Sequence, residues 1–148
     1  MKVLNLAEYI IRHAEGQGTF VTNLKLQKTL YYLQGYSLKK FEEAAFDDDI
    51  LNWQYGPVAP TAYFAYSSYG ADPLESNESV QIEKMRKDQK NLFDKVIDVC
   101  LDLSARRLVQ MTHEEAPWKE TCQNEEITTA SIARFFRAHD PLKIEGAH

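Results

Sequence analysis

The sequence predicts a mainly α-helical protein, one compact multi-helix domain over residues 3–140, with a loop or one short β-hairpin around residues 46–58. Three observations predict it. Apolar residues recur at helical spacing along most of the chain. Apart from Gly35, Gly and Pro stand between these stretches or in their first turns. The length, 148 residues, is that of a single domain able to bury about two thirds of its unfolded surface.

Val3, Ala7, Ile10 and Ala14 make the stripe of a first helix, which Gly16-Gln17-Gly18 ends. A second helix starts after Thr22, whose hydroxyl can accept a free first-turn N–H, with Val21 and Leu26 as a hydrophobic staple. Through Phe41 its apolar residues cover about half the helix surface, so it belongs in the middle of the fold. Lys25, Lys28 and Lys39 gather on the opposite side.

Asp47-Asp48-Asp49 and Gly56-Pro57 break the pattern, and Pro60 suits the first turn of a third helix carrying Tyr63, Phe64, Tyr66 and Tyr69 up to Gly70. Residues 71–80 read as a polar connection. A longer helix follows with Met85, Leu92, Val96, Val99 and Leu103 on one face. Ser104 caps a short helix, Pro117 opens another with Trp118, and Thr128 caps the last, with Phe135 and Phe136 turned inward. Residues 141–148 read as a flexible tail.

Composition narrows the function. Hydrophobic residues at 44% and charged residues at 26% are ordinary for a globular chain. A net charge of −5 and the lack of a basic run argue against direct nucleic-acid binding. Cys100 and Cys122 form no CxxC and have no nearby histidine set, so neither metal nor cofactor is expected. Without an apolar leader or a long apolar run, the expected location is the cytosol, with no membrane partner.

Several residues invite a functional reading. Gln27 and Gln34 lie one heptad apart on the apolar arc of the second helix. Either they bind loop backbone, most simply that of residues 53–58, or they line a groove for a partner. Trp53 and Tyr55 flank the Gly56-Pro57 turn and serve either as core plugs or as interface anchors. Tyr31, Tyr63 and Tyr66 belong to a set of 8 tyrosines, a residue suited to recognition surfaces. His113-Glu114-Glu115 is where acid–base catalysis would sit, but it lacks the second histidine of a zinc motif and any readable nucleophile. The expectation is a protein-binding domain, not an enzyme.

Four ordered blocks carry a resemblance. They are Leu24-Lys25-Leu26-Gln27-Lys28-Thr29-Leu30-Tyr31-Tyr32-Leu33-Gln34-Gly35, then Trp53-Gln54-Tyr55-Gly56-Pro57-Val58, then Leu108 to Thr112-His113-Glu114 and Pro117-Trp118, and Ile127 before Phe135-Phe136. Together they resemble the Panacea domain, also described as SocA-like or GepA-like phage-associated proteins. The resemblance implies an antitoxin that neutralises, by direct contact, a protein toxin encoded by an adjacent gene. It also implies two alternatives: an adaptor delivering a client to an ATP-dependent protease, or a phage-associated binding module without a toxin. Partner-binding residues would be Gln27, Tyr31, Gln34, Trp53, Tyr55, Tyr63 and Tyr66; Gly56, Pro57, His113, Pro117 and Trp118 would hold the motif's shape.

Overall fold

A computed structural model describes residues 1–145. Seven α-helices and one two-stranded antiparallel hairpin follow in order: α1 (Val3–Gly16), α2 (Asn23–Phe41), β1 (Leu51–Trp53), β2 (Gly56–Val58), α3 (Pro60–Ala65), α4 (Lys87–Asp102), α5 (Ala105–His113), α6 (Ala116–Lys119) and α7 (Thr129–Ala138). The mainly helical fold with one short hairpin is the one expected.

Helix α2 is the axis of the domain, with α4 and α7 packed along it and α1, α3, α5 and β2 around the rest. Thr22 caps it by accepting the Lys25 N–H, as Ser104 caps α5 through Arg107 and Thr128 caps α7 through Ser131. Helix α7 approaches closely because residue 35 is glycine. A Cβ there would stand 2.2 Å from the Phe136 ring. That ring meets Tyr31, Tyr32 and Tyr36 edge to face, at centroid distances of 5.7, 6.0 and 5.2 Å. The Tyr31 and Tyr32 hydroxyls both donate to the buried carboxylate of Glu115, at 3.0 and 2.7 Å.

The hairpin pairs Leu51 with Val58 and Trp53 with Gly56. Residues 124–127 run beside β1, where Asn52 N–H donates to Glu125 O and Ile127 N–H to Ile50 O. The Asn52 side chain donates to the Trp118 and Thr121 carbonyls, so the hairpin is anchored to α6. Residues 71–86 wrap α1: Leu74 is buried, its N–H donates to Val21 O, and Arg12 reaches the Asn77 carbonyl.

Four expectations are corrected. Helix α3 ends at Ala65, because the Tyr66 N–H is shared between Ala62 O and Tyr63 O, which tightens the chain into a 3-10 turn at Ser67–Tyr69. Met85 precedes α4 and is not on its face. Lys28 is wholly buried, because β2 folds across its side of α2. The segment from Pro141 is held: Leu142 is buried, its N–H donates to the Tyr36 hydroxyl, and Asp140 accepts from Ile144 and Glu145. The remainder of the expected tail, residues 146–148, lies outside the described residues. Phe136 is buried, whereas Phe135 is half-buried and stacks on His139.

Candidate partner-binding groove

Where the hairpin and α3 lean over the start of α2, they leave an apolar groove of about 620 Å³. Leu24, Val58, Trp53, Tyr55 and Tyr63 form much of its wall. The aromatic side is one connected cluster. Trp53 meets Tyr63 at 5.1 Å and Phe64 at 5.8 Å, and those two meet at 5.4 Å, all edge to face. At the outer edge of the cluster Phe64 is 63% exposed, and Tyr55, elsewhere on the groove wall, is 59% exposed. Fixed, amphipathic or apolar rings at the edge of a concavity are what anchors a protein interface.

The groove's polar floor is built from α2. Gln27 accepts the Ala59 N–H at 2.9 Å and donates to Asn23 Oδ1 at 2.9 Å. Asn23 in turn donates to the Tyr63 carbonyl at 3.1 Å. These bonds fasten the start of α3 to α2 and so set the angle of Tyr63. Beside them Lys28 Nζ donates to the Pro57 carbonyl at 3.2 Å. No ion pair joins Lys28 to a carboxylate among the described residues. Burial alone pushes its pKa down to about 7.

Gly56 makes this floor possible in two ways. Its φ of +117° is a conformation that side chains avoid, and a Cβ there would stand 2.7 Å from Lys28 Cε. Behind the hairpin, Trp118 Nε1 donates to Trp53 O at 2.9 Å. His113 Nε2 lies 3.0 Å from Gln54 O, and its ring stacks on Trp118 at 4.1 Å. Pro117 is buried in the first turn of α6. Gly56, Pro57, His113, Pro117 and Trp118 are therefore brought together as one support under the aromatic rim.

The expected partner-binding residues divide. Trp53, Tyr55 and Tyr63 reach the groove. Tyr31 and Gln34 do not: both are buried, Tyr31 on Glu115 and Gln34 on the Ala45 and Phe46 backbone. Tyr66 is turned to Glu8, to which its hydroxyl donates at 2.7 Å. Gln27 forms floor and is 1% exposed. The loop-backbone reading thus holds for both glutamines in kind, but their partners are Ala59 and residues 45–46, not residues 53–58. Phe64, Asn23 and Lys28 were missed as site residues. Phe64 follows Tyr63 in a tyrosine-rich run, the one signal that could have found it.

Residues 26–119 match the family described as "Antitoxin SocA-like, Panacea domain". The chain belongs to this family. The matched span holds α2 from Leu26, the hairpin, α3 and α6, and therefore most of the groove and its support, while Thr22, Asn23 and Leu24 of the lining precede it. The block from Ile127 to Phe136 lies beyond it. No curated protein matches the chain, and no solved structure does. Among the described residues no helix is long and apolar enough to cross a membrane.

Proposed function

We propose that this Panacea domain is a cytosolic antitoxin that neutralises a protein toxin, the product of an adjacent gene, by docking it on the face formed by Trp53, Tyr55, Tyr63 and Phe64. The observation that carries the reading is the aromatic rim of the groove. Two of its rings are about 60% exposed, although the domain has buried other large aromatics completely. Family membership supplies the class of partner.

The reading is of a binding protein without a reaction of its own. His113, which the sequence places beside Glu114 and Glu115, is held against Gln54 O and Trp118. Its ring supports the hairpin instead of facing the groove.

The test is growth rescue: the neighbouring gene is expressed with and without this protein, and surviving cells are counted. Rescue accompanied by a stable complex supports the antitoxin reading. Rescue with rapid loss of the toxin protein points to the proteolytic adaptor. A harmless neighbour leaves a phage-associated binding module without that toxin.

A further inference from the structure

The floor of the groove holds hydrogen-bond donors to spare. A backbone N–H can only donate, so the Gln27 atom facing Ala59 N is the carbonyl oxygen, and its amide nitrogen faces Asn23. A backbone carbonyl can only accept, so the Asn23 nitrogen faces Tyr63 O and its oxygen faces Gln27. Each amide oxygen accepts one bond and each amide nitrogen donates one, so each nitrogen keeps a second N–H. As an ammonium, Lys28 carries three donors and spends one, on Pro57 O. Its charge has no carboxylate partner among the described residues, and none of the residues lining the groove is acidic. The chain as a whole has 22 acidic against 17 basic residues, so the groove runs against the charge of the molecule.

We propose that the groove receives the carboxylate of an acidic side chain carried on an apolar segment of the protein partner, seated over Asn23 and Lys28. The inference rests on the reading of this face as a protein-docking surface and names what is recognised there. A carboxylate offers acceptors only, which is the complement of a floor with donors to spare. It supplies the counter-charge that a buried ammonium lacks. The apolar walls keep water away and strengthen the attraction. The apolar neighbours of the acidic residue lie against Trp53 and Tyr63. A protein segment, rather than a free organic acid, is the occupant because the aromatic surface runs on past the groove to Phe64, which packs on Trp53 and Tyr63.

The test uses the whole chain, isotopically labelled, and three peptides followed by NMR. The first is acetyl-Phe-Glu-Leu-amide, the second its Gln counterpart, and the third acetyl-Phe-Leu with a free C-terminal carboxylate. The expected result is that the side-chain amides of Asn23 and Gln27 and the Trp53 indole shift on adding the Glu peptide, and that the Gln peptide binds about tenfold more weakly. Lys28→Met should remove that preference. The comparison of the two peptides on the unaltered protein stands even where Lys28→Met fails to fold. Equal affinity for Glu and Gln peptides, a preference that survives Lys28→Met, or no shift at millimolar peptide overturns the inference. Tighter binding of the free C-terminal carboxylate overturns the side-chain source. Selective peptide binding supports the inference even where growth rescue fails, whereas rescue without it overturns the inference alone.

Discussion

Lys28 Nζ donates to the carbonyl of Pro57 at 3.2 Å, tying the middle of the central helix to the turn that carries the aromatic rim. The bond needs Gly56, since any side chain at that position would occupy the space of the lysine's own methylenes. It leaves a cation in the interior without an ion-pair partner among the described residues, an arrangement that costs stability.

Lys28 should make the protein more stable in mild alkali. Its folded pKa of about 7 lies below the ordinary lysine value of 10.5, so between those limits the unfolded chain binds the extra proton. Stability therefore rises with pH across that window. Urea denaturation at pH 7 and at about pH 9 should show the rise in the unaltered protein and its loss in Lys28→Met.

Glu115 acts in the opposite sense. Burial raises its pKa from 4.5 to about 7, against the donated bonds of Tyr32 and Tyr31 that lower it. The folded chain keeps a proton that the unfolded chain releases in that window, so this group's contribution falls as pH rises through it. Glu115→Gln should flatten that slope in the same denaturation series. Tyr32→Phe, by removing a donor to the carboxylate, should steepen it.

Gly35→Ala should destabilise the fold by about 1–3 kcal/mol, because the added methyl collides with the Phe136 ring and α7 must move outward. A paired Phe136→Leu change should recover part of the loss, measurable as coupling in a double-mutant cycle. Additive losses would show that the ring is not what Gly35 accommodates.

Gln34→Leu should cost about 1–3 kcal/mol, since the Ala45 and Phe46 N–H groups lose their acceptor in the interior. The loss should appear in thermal unfolding and leave the affinity of the folded protein for its partner unchanged. A normal melting temperature with weakened binding would return Gln34 to the interface.

Phe64→Ser and Tyr55→Ser should leave stability within about 0.5 kcal/mol, as both rings are mostly exposed. In a complex with the toxin, each should weaken binding by about tenfold or more. Calorimetry on the two variants separates these effects. Unchanged affinity in both would move the docking face elsewhere on the domain.

Much of the fold was legible in local chemistry. Caps at Thr22, Ser104 and Thr128, prolines at residues 60 and 117, and the Gly56-Pro57 turn each act over a few residues, so their meaning survives in the linear chain. The site was legible only in part. Trp53, Tyr55 and Tyr63 were recognisable as candidate anchors by residue type. Tyr31, with the same chemistry and the same expected role, is wholly buried. Aromatic character says what a surface could do, and not whether the residue is on one.

The sequence by itself determined the helices, their caps, the position of the hairpin and the family to which the chain belongs, because periodicity, capping and motif order are properties of neighbours along the chain. Only the tertiary structure decided which polar residues are interior. Lys28 belongs by pattern to the solvent side of α2, yet β2 covers it, and Gln34 is spent on residues 45–46. Burial depends on what folds across a helix from distant parts of the chain, and no spacing within the helix records that.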